Sequence, residues 1–118
     1  MVDGNSVLSF DPDRKTLLNY ELALRDGGYS VISVYSAIQA RYEIEMGRCG
    51  ILLLSFIVPP VICLDLVSAF RRYCPPGIVV FVTNDLQTGL TTADVICLEG
   101  DDPHAIVPRI MALRSKAS

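Results

Sequence analysis

The stretch Gly50-Ile51-Leu52-Leu53-Leu54-Ser55-Phe56-Ile57-Val58-Pro59-Pro60 constrains this chain more than any other. Its four consecutive aliphatic residues are too few for a helix and follow a glycine. They read as a strand buried on both faces, which is the mark of a parallel sheet, because a half-wet strand would alternate. The run then meets a lone hydroxyl at Ser55, a second apolar cluster, and two prolines that cannot continue a ladder. In open α/β sheets, ligands and chemistry gather just past the carboxyl ends of the strands. Ser55 stands at that place, so what Ser55 can do is the central functional question.

The flanking sequence supplies the other layers. Ser6 to Phe10 reads as a first strand, ending at Asp11-Pro12-Asp13, where either aspartate can cap a helix starting near Arg14. Leu17, Leu18, Leu22 and Leu24 give that helix an apolar stripe, and Gly27-Gly28 a left-handed stop. Tyr29 to Tyr35 is β-rich, and Ser36 begins a second helix that runs to about Met46 and stops at Gly47. A third helix is expected from Leu64 to Tyr73, with Leu66, Val67 and Phe70 inward and Arg71 and Arg72 at its C-terminal dipole. Ile78 to Val82 is a second fully apolar strand, closed by Thr83, and Val95 to Leu98 a last one, closed by Glu99-Gly100. Asp102-Pro103 opens the final helix, with Ile106, Ile110 and Leu113 inward and Pro108 disturbing one turn. Strands and helices that alternate in this way imply a parallel sheet with helices on both faces.

Only Asn84 to Ala93 joins the fourth strand to the fifth, ten residues that barely meet the dozen or so a parallel crossover wants. Gly89 among Thr88, Thr91 and Thr92 forms helix poorly. A short or irregular helix is predicted there.

At 118 residues, half of them apolar, the chain reads as one domain spanning 1–118 with a real core. A net charge of −3 gives no electrostatic reason to expect nucleic acid. Cys49, Cys63, Cys74 and Cys97 form no CxxC pair and His104 is the single histidine, so zinc is not indicated. Thiols scattered through apolar segments point to a reducing cytoplasm. Cys74, beside two prolines, is the thiol expected in a loop and open to reaction, whereas His104 is expected as a plain surface residue. No signal peptide is visible, and the Ile51–Leu64 tract is too short and too proline-broken to span a bilayer.

With the strand ends placed, the chain resembles a response-regulator receiver domain of two-component signalling, of degenerate, pseudo-receiver type. Five ordered segments carry the likeness: Val7-Leu8-Ser9-Phe10-Asp11, Gly28-Tyr29-Ser30-Val31, Arg48 to Pro59, Thr83, and Ala93-Asp94-Val95-Ile96-Cys97-Leu98-Glu99. The resemblance implies a flavodoxin-like (CheY-like) three-layer α/β/α fold with a five-stranded parallel sheet of order 2-1-3-4-5. It also implies where the family's chemistry would lie. The phospho-acceptor position holds Ser55, the acidic pocket Asp11 and Asp13, the switch hydroxyl Thr83, and the lysine position Glu99.

These residues do not suit the family's chemistry. Ser55 lacks the low pKa of a carboxylate nucleophile, and no base stands beside it in sequence. Glu99 turns attraction for a phosphoryl dianion into repulsion. Pro12 occupies the second acidic position, which leaves weak Mg²⁺ binding at Asp11, helped by Asp13, as the open cofactor question; no other cofactor is implied.

The leading expectation is therefore a non-enzymatic signalling module that binds a histidine kinase, a transcriptional regulator or a second copy of itself, with no nucleic acid and no membrane partner. The apolar and proline-rich segment Phe56–Ile62 is one candidate contact. One alternative is a degenerate receiver that still binds Mg²⁺ and accepts phosphoryl. Another is a flavodoxin-like small-molecule binder, although Asp11-Pro12-Asp13-Arg14 stands where a glycine-rich phosphate loop would be.

Overall fold

The structure, a computed structural model, describes residues 3–85 and 93–117. Five strands, β1 (Asp3–Phe10), β2 (Ser30–Val34), β3 (Cys49–Ser55), β4 (Ile78–Thr83) and β5 (Val95–Leu98), form one sheet of order β2-β1-β3-β4-β5. Every neighbouring pair is parallel. Four helices accompany them: α1 (Arg14–Asp26), α2 (Ala37–Met46), α3 (Pro60–Tyr73) and α4 (Ile106–Ala117), the last preceded by a 3₁₀ turn at Pro103–Ala105. The fold class and strand order expected from the sequence are those observed. The short helix expected between Asn84 and Ala93 falls mainly on residues 86–92, which lie outside the described residues.

The strands alternate between two cores because successive side chains leave opposite faces of a sheet. Leu8, Leu52, Leu54, Val79 and Phe81 point to one face, where Ala40 and Ile44 of α2 and Leu66, Val67 and Phe70 of α3 meet them. Val7, Ile51, Leu53, Val80 and Val82 point to the other face, covered by Tyr20 and Leu24 of α1 and Ile106 and Ile110 of α4. Both faces of β3 are dry: all seven of its residues are buried. That explains the unbroken aliphatic run.

Local chemistry sets most of the boundaries. Asp13 caps α1, its side chain accepting from Lys15 N at 3.3 Å and from Thr16 Oγ1 at 2.6 Å. The other end of α1 closes with Tyr29 N donating to Leu24 O and Gly28 N donating to Arg25 O, a Schellman stop. Only one of the two glycines there, Gly28, takes the left-handed conformation, at φ 92°. Ser36 caps α2 through Gln39 N, and Gly47 ends it in the left-handed region.

Several expectations need correction. The inward stripe of α1 is Leu17, Tyr20, Ala23 and Leu24, whereas Leu18 and Leu22 are half exposed. Helix α3 begins at Pro60, four residues before Leu64, because a proline at the first helical position loses no intrahelical bond. The Pro-Pro pair thus ends β3's excursion and starts the next helix together. Strand β1 reaches back to Asp3, with a register irregularity between Asp3 and Val7, and Arg114 of α4 bonds Gly4 O and Asn5 Oδ1 there. Cys74 is not in an open loop: it caps α3, is 1 % exposed, and burial pushes its thiol pKa up. Pro108 falls in the first turn of α4, where an N–H is without an intrahelical partner anyway, so the helix runs on from Ile106 to Ala117.

His104 is exposed as expected, but it has a role the sequence did not suggest. Its Nε2 lies 3.1 Å from Asp26 Oδ2 at the end of α1, and its Nδ1 lies 3.0 Å from Asp102 Oδ1. The hydrogen bonds to Asp26 and Asp102 raise its pKa above the usual value. A raised folded-state pKa adds stability that is full below the unfolded value and lost as pH rises through the folded one. His104 should therefore titrate above about 6.5, and its pKa should fall in Asp26→Asn. Because it is the single histidine, its imidazole proton signals report this without assignment; a pKa at or below the free value would mean the bridge does not form.

Candidate functional site

The strand order reverses direction between β1 and β3, since β2 lies to one side of β1 and β4 to the other side of β3. The crevice of a doubly wound sheet opens at such a switch point, past the carboxyl ends of these strands. Asp11 follows β1 directly and is still held at sheet level, its N–H donating to Val34 O at 3.2 Å. Ser55 is the last residue of β3, in register with Val82 of β4. The backbone turns immediately after it, with Val58 N donating to Ser55 O. Glu99 follows β5, its N–H donating to Thr83 O at 2.9 Å.

A cleft of about 260 Å³ brings Asp11, Ser55 and Glu99 together, and Asp101 lines it as well. Tyr20, Phe56, Ile57 and Val82 supply much of its apolar wall. Sequence reasoning missed Asp101, although it lies within the acidic run Glu99-Gly100-Asp101-Asp102. It also missed Tyr20, which the stripe expected for α1 left out and which the structure buries on the wall of the cleft. Asp13 does not line the cleft; its carboxylate is spent on the first turn of α1. Thr83 is buried behind the strand end, and its Oγ1 donates to Asp85 O at 3.0 Å and accepts from Asp85 N at 3.2 Å. That local ring of hydrogen bonds occupies the hydroxyl.

Electrostatics in the cleft are one-sided. No Lys, Arg or His lines it among the described residues. Arg14, the nearest arginine in sequence to Asp11, stacks instead on the Tyr35 ring at 4.5 Å. Burial raises the Asp11 pKa; the Asp13 N–H bond at 2.9 Å and the Ser55 hydroxyl draw it partly back, and the Asp13 charge adds a further upward push. The Tyr20 phenol is pushed up to about 12, first by burial and then by negative charge at Cys97, Asp11, Glu99 and Asp101. Ser55 is 5 % exposed. Its hydroxyl lies near enough to influence Asp11, yet no hydrogen bond of ordinary geometry reaches Ser55 Oγ among the described residues.

The donor set does not fit Mg²⁺ well. That ion wants near-octahedral oxygens with one or two dedicated carboxylates, often beside phosphate. Here Asp11 is the one buried carboxylate in the cleft, and one of its oxygens already accepts the Asp13 N–H. No group of three His, Cys, Asp or Glu converges on a metal position among the described residues. A larger cleft of about 430 Å³ lies at the opposite, amino end of the strands, among Gly4, Gly50, Gly77 and Ile78. None of the residues picked from the sequence as site candidates lines it.

No protein-family model matches the chain, and no curated protein matches it in sequence. Solved structures do match it in shape. A response regulator receiver protein from Sinorhizobium medicae superposes with a TM-score of 0.78 at 17 % identity, covering 93 % of this chain and 94 % of the other. A CheY-like receiver domain protein from Methanospirillum hungatei gives 0.77 at 20 % identity, covering 96 % of each chain. Response regulator TrrA from Thermotoga maritima, solved in complex with Mg²⁺ and beryllium fluoride, gives 0.77 at 13 % identity, covering 92 % of this chain and 98 % of that one. Likeness at this identity speaks to the fold: the chain has the architecture of a response-regulator receiver domain over nearly its whole length. No described helix is long and apolar enough to cross a membrane.

Proposed function

We propose that this chain is a receiver-like signalling module of a two-component or phosphorelay system that works through protein–protein contacts, without phosphorylation at the usual site. The observation that carries the reading is Ser55, a buried neutral hydroxyl at the end of β3, where the receiver fold would present its carboxylate nucleophile. A serine hydroxyl is a weak nucleophile without an activating base; no histidine or lysine lines the cleft among the described residues, and the carboxylate near it, Asp11, is buried beside further acids. Glu99 and Asp101 on the same cleft repel a phosphoryl dianion, and among the described residues no cation lines the cleft to offset them. The partner in this reading is a histidine kinase, a transcriptional regulator or a second copy of the chain. Ile57 on the cleft wall and Val61 in the first turn of α3 offer exposed apolar area for such a contact, at 45 % and 79 % exposure, while Val58 between them is buried.

The test is a titration of Mg²⁺ with beryllofluoride, followed through backbone amide shifts at Asp11, Ser55 and Thr83. The expected result is no saturable change at millimolar metal. Saturable shifts at these three positions would mean that the site still takes a phosphoryl group, and the proposal would fall.

A further inference from the structure

Helix α2 carries apolar side chains on both of its sides. Ala40 and Ile44 are buried in the core shared with the sheet and α3. Ile38, Tyr42 and Met46 follow one another at four-residue spacing, and at 3.6 residues per turn that row lies across the helix axis from Ala40 and Ile44. The row faces water: its three side chains are 84 %, 58 % and 50 % exposed. A surface helix is ordinarily polar on that side. Single exposed apolar residues need no explanation, but three in one row on a ten-residue helix form a contiguous patch, the mark of a contact site.

The shape and charge of the patch point to a second copy of the chain. Two grooves, of about 420 Å³ and 370 Å³, run along the row, and Ile38 and Tyr42 line both. The row is thus a ridge with a groove on each side, a shape that packs into a copy of itself, ridge into groove. A two-fold contact also needs self-complementary charge, because the same patch serves both partners. The groove nearer α3 carries Arg41 with Glu45 and Asp65, which Arg41 reaches at 3.2 Å and 2.9 Å. An antiparallel two-fold pairing lays this edge along the same edge of the other copy and brings Arg41 of one near Glu45 of the other. On the far groove Glu43 is held by Arg48 at 2.9 Å. Both edges therefore mix the two signs, which gives a strongly basic or strongly acidic partner little field to follow.

We propose that the outer row of α2, Ile38, Tyr42 and Met46, is a dimer interface that binds the same row of a second copy across a two-fold axis. Such a dimer chooses the partner in the unphosphorylated reading above and rests on that reading for its part in signalling, while the contact itself stands on α2 alone. A ten-residue helix is about 15 Å long, so the patch falls short of the roughly 800 Å² a side of a standard interface. Association should accordingly be micromolar and readily reversible.

The test is sedimentation velocity on the whole chain over a concentration series up to about 1 mM, with amide shifts followed over the same series. The expected result is a shift from monomer to dimer, with concentration-dependent amide shifts centred on Ile38, Arg41, Tyr42 and Met46. The double variant Ile38→Lys, Tyr42→Glu should lose the dimer entirely while its far-ultraviolet circular dichroism stays unchanged, since both positions are exposed and both new residues form helix well. Leu18→Glu with Leu22→Glu, an equally exposed pair on α1, should leave the dimer intact. A parent chain that stays monomeric throughout overturns the proposal and leaves the row to a different apolar partner. A dimer that survives the α2 substitutions, or is lost with the α1 ones, overturns it as well, by placing the contact elsewhere. The beryllofluoride titration is read on monomer and dimer alike, so failure of the dimer and failure of the unphosphorylated reading are separate results.

Discussion

Gly77→Ala should destabilise the chain by about 2–3 kcal/mol, a large share of a small domain's total stability. A methyl group at Gly77 would sit 2.4 Å from Phe70 Cζ, 2.5 Å from Cε2 and 2.9 Å from Cys74 O. None of these can yield cheaply. Phe70 is fully buried in the α2–α3 core, so its ring has no solvent to swing into, and close-packed interiors resist added volume. The carbonyl of Cys74 is fixed by accepting the Gly77 N–H at 2.8 Å. Gly77 O is held in turn by Arg71 Nη1 at 3.1 Å. The backbone here is not strained, so the effect is one of space rather than of φ. Urea unfolding should show a lower midpoint with an unchanged slope, and Phe70→Leu in the same background should restore part of the loss. A midpoint equal to the parent's would mean that the α3–β4 turn is looser than its geometry implies.

That turn illustrates what the sequence could and could not convey. Cys74-Pro75-Pro76-Gly77 announced a break, and Phe70 an inward residue, but the collision between them depends on how α3 crosses β4. Strands were legible because burial on both faces leaves nothing but apolar residues, as in Ile51 to Leu54 and Ile78 to Val82. Helix stripes were less so. In α1, leucines occur on both the buried and the exposed sides, and the core takes Tyr20 and Ala23 while Leu18 and Leu22 face water. Hydrophobic identity alone misled there, because a helix's phase is set by what it packs against. The start of α3 was hidden because a proline pair serves equally as a strand stop and as a helix start.

The same limit applies to the cleft. Ser55, Asp11 and Glu99 could be placed at strand ends from the order of elements, and the switch point brings them to one cleft. The convergence of Asp101 and Tyr20 on that cleft depends on the loop after β5 and on the phase of α1, neither of which leaves a pattern in the sequence. The His104 bridge between Asp26 and Asp102 joins residues 78 positions apart in the case of Asp26, a pairing that only the docking of the 3₁₀ turn against α1 creates.

Placing a carboxylate at the end of β3 should be the costliest change in the cleft. Ser55→Asp places a second buried acid beside Asp11, in a cleft whose lining already includes Glu99 and Asp101 and, among the described residues, no cation. Two carboxylates in one desolvated site cannot both ionise cheaply, and an uncompensated buried charge of this kind should destabilise the fold by about 3 kcal/mol at neutral pH. The sign with pH follows from the same physics. Asp11 already has its pKa raised, chiefly by burial, so its ionised form opposes folding, and its contribution improves as pH falls through the folded-state value. Ser55→Asp should exaggerate that trend, losing most of its defect once the pair can hold a proton. Asp11→Asn should do the reverse: it removes the buried charge, keeps an oxygen to accept the Asp13 N–H, and is expected to raise the unfolding midpoint at pH 7 but not below the ordinary aspartate pKa. Adding Glu99→Lys to Ser55→Asp should recover stability by supplying the missing cation. Unfolding curves across pH for the four proteins distinguish this account from a steric one, in which the Ser55→Asp defect would persist in acid and Glu99→Lys would not relieve it.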